Sequence, residues 1–184
     1  MQTLIVYGTR YGATAGTSEE IAKVLRQEGL AVKVVNAKEE KNIDISPYEL
    51  VVVGTGVQMG RWTGEIEDFL KTHETELAQK KMALFVSTMK TVAEREGNQK
   101  DLANAREWDI DKKLPKYSFK PVSVGFFGGV IDYNKLNFLF KKTFGSLRKR
   151  LEAAGFKETA PGVFELRDWD EIRKWAKELA SKAK

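Results

Sequence analysis

The segment Gly8-Thr9-Arg10-Tyr11-Gly12-Ala13-Thr14 follows the apolar run Leu4-Ile5-Val6-Tyr7 and precedes a stretch in which Ser18, Ile21, Ala22 and Leu25 recur at helical spacing. Two hydroxyls, a glycine that permits close backbone approach and the free N–H groups of a helix N-terminus are the parts of a phosphate cradle. The pattern is neither Gly-x-Gly-x-x-Gly nor Gly-x-x-x-x-Gly-Lys-Ser/Thr, which disfavours a dinucleotide fingerprint and a P-loop. Thr14 is expected to start the helix, because Thr17 and Ser18 extend the Ile21, Ala22, Leu25 stripe backwards. A capping box formed by Thr17 and Glu20 is the alternative start, and an ordinary cap in a tight turn is the alternative to a cradle.

A second segment, Thr55-Gly56-Val57-Gln58-Met59-Gly60-Arg61-Trp62-Thr63-Gly64, sets glycines around a polar and a soft apolar side chain with an aromatic close by. A planar ring system could lie across it, Trp62 stacking and Gln58 with backbone amides bonding its edge. Alternatively, Trp62 caps the helix that follows. Ser87-Thr88-Met89-Lys90 and Phe127-Gly128-Gly129 end two further apolar runs and either complete the pocket or simply terminate strands.

Composition narrows the chemistry. The 184 residues contain no cysteine and one histidine, His73. Thiolate nucleophiles, iron–sulfur clusters and Cys/His zinc sites are therefore excluded, and a histidine-centred triad is implausible. His73 reads as a helix-face residue, and Asp109, Asp111 and Asp132 have no spacing that makes a metal site or an acid/base pair. No side chain is assigned a catalytic role, so hard chemistry here belongs to a borrowed cofactor. With 42% apolar residues, a folded core is expected in one domain spanning 1–184.

The elements that must position these loops follow from periodicity. Leu4–Tyr7, Ala31–Val35, Leu50–Gly54, Met82–Ser87 and Val122–Phe127 read as strands, Leu50–Gly54 too continuously apolar for a sheet wetted on one face. A helix from Gly64 to Gln79 falls between the third and fourth of them, and helices over 135–154 and 168–182 follow the fifth. Alternating strands and helices predict an open parallel α/β sheet. Ligands of such sheets lie beyond the carboxyl ends of the strands, where the four loops above fall. The stretch 90–120 gives no clean stripe, is interrupted at Gly97-Asn98, and reads as a helix with a loop or a lid.

The first loop and its helix resemble the flavodoxin family, whose Thr-x-Thr-Gly-x-Thr continues into Thr-x-x-x-Ala-x-x-Ile-Ala-Lys. Thr9, Gly12, Thr14, Ile21, Ala22 and Lys23 match in register, while Tyr11 replaces a hydroxyl residue and Ser18 an alanine. The resemblance implies a five-stranded sheet of order 2-1-3-4-5 with helices on both faces and FMN as cofactor. It places the FMN phosphate among Thr9, Arg10, Tyr11, Gly12, Ala13 and Thr14, with Arg10 adding charge where Tyr11 removes a hydroxyl. The remaining cofactor contacts would be Thr55, Gly56, Val57, Gln58, Met59, Gly60, Trp62, Ser87, Thr88, Met89, Lys90, Gly128 and Gly129.

Within that superfamily the chain is most similar to menaquinone-dependent protoporphyrinogen dehydrogenases. Thr9-Arg10-Tyr11-Gly12-Ala13-Thr14, Gly54 to Gly60, Phe85-Val86-Ser87 and Asp168-Trp169-Asp170 carry the likeness. Residues 88–121 depart from it. This resemblance implies electron transfer through the flavin to a redox partner protein, or oxidation of a porphyrinogen with a quinone acceptor. A third expectation is a cofactor-free adaptor domain, kept open by Tyr11 and the lack of an acidic pair after Trp62.

The net charge of +5 is unevenly spread, with 11 basic and 12 acidic residues in 1–92 against 20 and 14 in 93–184. Lys135, Lys141, Lys142, Arg148, Lys149 and Arg150 are interleaved with Leu136, Phe138, Leu139, Phe140, Phe144 and Leu147. Such a stretch either packs its apolar face on the sheet or meets a membrane surface or acidic partner. No recognition motif for nucleic acid accompanies it. The absence of a signal-like N-terminus or a bilayer-length apolar run leads to the expectation of a cytoplasmic protein, with peripheral contact at the inner membrane face as an option.

Overall fold

The computed structural model describes residues 1–135 and 145–184. Five parallel strands form one sheet in the order β2-β1-β3-β4-β5: β1 Gln2–Gly8, β2 Ala31–Asn36, β3 Leu50–Gly56, β4 Lys81–Thr88 and β5 Ser123–Gly128. This is the expected sheet, with β1 to β4 a residue or two longer at one end or both and β5 shifted one residue along the chain.

The alternation of side chains along each strand divides the core in two. Leu4, Val6, Val51, Val53, Leu84 and Val86 face α2 (Gly64–Thr72), together with Trp62, Ile110 and Phe119. Ile5, Leu50, Val52, Ala83, Phe85 and Phe127 face α1 (Ala13–Gln27) and α7 (Trp169–Ala183), which present Ile21, Ala22, Leu25 and Ile172, Ala176, Leu179. Burial on both faces explains why these strands read as unbroken apolar runs. Phe85, Phe127 and Trp175 meet at 5.5–6.3 Å between ring centroids in tilted and edge-on pairs.

Several expectations need correction. The helix over Gly64–Gln79 breaks at His73 into α2 and the short α3 (Glu74–Leu77), with His73 packed on Phe69 and Leu77 turned into the core. Residues 90–120 hold α4 (Lys90–Arg95) and α5 (Gln99–Arg106), separated at Gly97-Asn98 as the sequence suggested, with the Asn98 side chain capping α5. A π-helical turn, Glu107–Asp111, and a 3-10 turn, Leu114–Lys116, follow.

The helix expected over 135–154 is described only as α6, Gly145–Ala153. Leu136, Phe138, Leu139, Phe140, Lys141, Lys142 and Phe144 lie outside the described residues. Of the basic residues that remain, Arg150 binds Glu96 through two nitrogens at 2.6 and 2.7 Å, and Arg148 pairs with Glu152 and Glu158.

A second sheet, of order β6-β8-β7, escaped the sequence reading. Its antiparallel strands, β6 Val130–Asp132, β7 Glu158–Ala160 and β8 Val163–Glu165, have three residues each, too short to show a period. The signal available was Pro161-Gly162, a turn pair linking β7 to β8 with Gly162 at φ 75. This sheet has its own small core of Ile131, Leu151, Phe156, Phe164 and Leu166.

Candidate functional site

Parallel register aligns Tyr7 with Gly54, Gly54 with Phe85, and Ser87 with Phe127, so the loops after β1, β3, β4 and β5 leave the sheet at one edge. They border a half-open cavity at the carboxyl edge of the sheet, where ligands of such sheets lie. Thr9, Arg10, Tyr11, Ala13, Thr14, Gly56, Val57, Gln58, Ser87, Thr88, Met89 and Gly129 line it. Val130, Ile131, Asp132 and Leu166 line it too, and all come from the second sheet or the chain just after it.

The floor near β1 is a helix N-terminus. Gly12, at φ 95, is the N-cap of α1, and no side chain caps the first-turn N–H groups. Thr9 Oγ1 accepts from Gly12 N at 2.9 Å, which closes the loop beneath them. The helix therefore begins at Ala13, one residue before the expected Thr14. The Thr17–Glu20 box does not form, because Thr17 and Ser18 donate back to the carbonyls of Ala13 and Thr14. Gly56 faces Thr14 so closely that a Cβ there would lie 3.2 Å from Thr14 Oγ1.

Arg10 lines the cavity and also ties its loops together. Its guanidinium donates to the carbonyls of Gly56, Arg61 and Trp62 at 3.4, 3.3 and 2.9 Å, tying the first loop to the third-strand loop. The Tyr11 hydroxyl accepts from Gln58 Nε2 at 3.1 Å across the rim. Lys135 donates to the Tyr11 carbonyl at 3.2 Å and pairs with Asp132 at 3.5 Å.

Trp62 is not at the cavity. It is 2% exposed, lies parallel to Tyr117 at 6.4 Å and donates from Nε1 to the Asp109 carbonyl at 2.8 Å. Residues 107–119 thus form a cover over the α2 face of the sheet, with Trp62 as its anchor. Trp62→Phe is expected to cost about 1–2 kcal/mol, the penalty of leaving a buried carbonyl unbonded, and to leave any bound-ligand spectrum unchanged. Urea unfolding and a visible spectrum of the same sample check both halves.

Other expected site residues also sit away from the cavity. Thr55 is buried at the base of its loop, where its Oγ1 accepts from Thr63 N at 3.1 Å. Met59 and Gly60, at φ 51 and 69, form a two-residue turn between Gln58 and Arg61, and Met59 is 75% exposed. Lys90 is 5% exposed and points to Glu94 and Glu171 at 2.8 and 2.6 Å. Gly128 lies against the Leu166 carbonyl.

Two polar groups stand out. Ser87 Oγ is buried at the cavity with no hydrogen-bond partner. Asp109 is 9% exposed, and burial pushes its carboxyl up to about 6, with Lys113 opposing the shift. The folded chain then holds this proton to about pH 6, while the unfolded chain releases it near 3.8. Its stabilising contribution is complete below about pH 4 and is lost as the pH rises through 6, a fall of about 2–3 kcal/mol. Urea midpoints from pH 4 to 8 should show this fall in the wild type relative to Asp109→Asn, which has no proton to lose.

Among the described residues no group of three His, Asp or Glu side chains is arranged to hold a metal ion, and no helix is long and apolar enough to cross a membrane.

Comparison with known proteins adds relatives to this geometry. The flavodoxin domain family model matches residues 4–157. Protoporphyrinogen IX dehydrogenase [quinone] of Escherichia coli strain K12 is 23% identical over 98% of this chain and 95% of its own length. The Leishmania major protein of the same name is 25% identical over 97% of this chain and 74% of its own length. Among solved structures, oxidised Flavodoxin 2 from Bacillus cereus superposes with a TM-score of 0.58 at 18% identity, covering 99% of each chain.

Proposed function

Because the chain belongs to the flavodoxin domain family, we propose that the cavity holds FMN and that the protein moves electrons through the bound flavin. The observation that carries this reading is the uncapped N-terminus of α1 opening onto the cavity at the carboxyl edge of the sheet.

The residues present fit the cofactor. Ser87 Oγ is a buried hydroxyl lacking a partner, which a ligand's polar edge would supply. Gly56 and Gly129 keep the walls bare where a Cβ would meet Thr14 Oγ1 at 3.2 Å and the Thr88 carbonyl at 3.3 Å. Thr9, Gly12, Ala13 and Thr14 would hold the phosphate. Val57, Gln58, Ser87, Thr88 and Gly129 would border the ring, while Met89, Val130, Ile131 and Leu166 exclude water from it. Bound FMN supplies one- and two-electron transfer, and the chain supplies position and a dry, shaped surround. Tyr11 and Gln58, bonded to each other at the rim, limit how a partner approaches.

The natural partners of such a site are a redox protein or a quinone. A second reading, oxidation of a porphyrinogen with a quinone acceptor, is favoured by the end-to-end likeness to proteins named protoporphyrinogen IX dehydrogenase [quinone]. Contact with a membrane surface has less support, because Arg148 and Arg150 are held by carboxylates of the same chain.

The test is to load the protein with FMN, reduce it anaerobically with dithionite and mix it with menadione. Rapid return of the oxidised flavin spectrum is expected, and no reoxidation would contradict electron transfer to a quinone. Adding protoporphyrinogen IX to the oxidised protein separates the two readings: catalytic turnover belongs to the dehydrogenase alone.

A further inference from the structure

Gly16 lies in the opening turns of α1, where glycine weakens a helix. A Cβ at that position would stand 2.6 Å from Nη1 of Arg167, so the missing side chain makes the space that the guanidinium fills. Arg167 comes from the chain between β8 and α7, directly after the cavity residue Leu166. Its side chain is 12% exposed and lies over the Trp169 ring at 4.3 Å. Nη1 donates to the Ala13 carbonyl at 3.2 Å, while Nε and Nη2 hold the Glu165 carboxylate at 2.7 and 2.5 Å.

A cation against the first turn of a helix is misplaced with respect to the macrodipole, whose positive end lies there. Glu165 offsets part of that positive charge. An anion on the uncapped N–H groups of the same turn would offset the rest, and the partnerless Ser87 hydroxyl independently marks this cavity as a ligand site. Arg10, the first loop's own cation, donates to three carbonyls, and Lys135 pairs with Asp132.

We infer that Arg167, held in the notch at Gly16 and moderated by Glu165, is the residue that makes the cavity prefer a phosphorylated flavin over its unphosphorylated form. The inference rests on the FMN reading and deepens it. Arg167 acts through the field at the first turn of α1 rather than by direct contact, and the charge of Glu165 opposes it.

The experiment measures dissociation constants of FMN and of riboflavin, by flavin fluorescence quenching, for the full chain and three variants. Arg167→Gln is expected to weaken FMN roughly tenfold, the size of one unit charge acting across a partly screened site, while riboflavin affinity stays unchanged. Glu165→Gln moves the FMN-to-riboflavin ratio the opposite way, and Arg167→Lys keeps it near wild type. If Arg167→Gln fails to fold, the Glu165→Gln and Arg167→Lys ratios still decide. Equal weakening of both flavins by Arg167→Gln and Glu165→Gln makes the pair a structural clasp and overturns the inference. A wild-type chain that binds FMN no better than riboflavin overturns the phosphate cradle itself, and the inference with it.

Discussion

Gly128→Ala is expected to lower the unfolding free energy by about 3 kcal/mol, the upper range of overpacking costs, and to abolish retention of FMN. Gly128 ends β5, paired with Thr88 of β4. A Cβ there would lie 1.9 Å from the Leu166 carbonyl oxygen and 2.4 Å from Thr91 Oγ1. The first neighbour is backbone and cannot rotate away, so the chain beyond β8 must lift off the sheet. Leu166 N donates to the Gly129 carbonyl at 3.0 Å, and that bond is lost in the same movement. Leu166, Val130 and Ile131 form the apolar wall of the cavity, which links a packing fault in β5 to ligand capture. Gly64→Ala is the control, because a Cβ at Gly64 meets nothing within 4 Å. Urea unfolding of both variants checks the energetic part, and gel filtration with FMN checks the functional part.

FMN at about a thousand times its dissociation constant should add about 4 kcal/mol to the stability of the folded chain, by mass action alone. For a chain of 184 residues that corresponds to a rise in Tm of about 8–16 °C. The physical source is the set of groups left without partners at the cavity: the first-turn N–H groups of α1 and the Ser87 hydroxyl. Riboflavin, which lacks the phosphate, should give a smaller shift. A cofactor-free adaptor of the same fold would show no shift with either flavin, so differential scanning calorimetry separates the two directly.

The main sheet was legible because its central strands are buried on both faces and carry long apolar runs, as in Leu50-Val51-Val52-Val53. Most of the cavity residues on the first, third and fourth loops were legible for a related reason. The strand ends fix where those loops emerge, and their Gly, Thr and Ser content marks close backbone approach. The wall formed by Val130, Ile131, Asp132 and Leu166 was not legible, since three-residue strands carry no period and pair across a gap of about 30 residues. Pro161-Gly162 was the one local clue to it.

Side-chain direction was the other blind spot. Trp62 and Lys90 belong to site loops, yet Trp62 turns into the core under Asp109 and Lys90 turns away to Glu171. Loop membership cannot distinguish a residue that faces the cavity from one that secures the loop from behind. Arg10 has a part that loop membership did not show: besides lining the cavity, it ties two loops together through three carbonyls. Arg167 lies 154 residues from its Ala13 partner. In the sequence its only trace is Gly16, a glycine in the first turn of α1.

The most direct test of the account is a visible absorption spectrum of the purified protein, before and after addition of FMN and removal of the excess by gel filtration. Oxidised-flavin bands that travel with the protein, close to one flavin per chain, are expected. A protein that leaves the column colourless after exposure to excess FMN would contradict this, and would leave the fold intact without the chemistry proposed for its cavity.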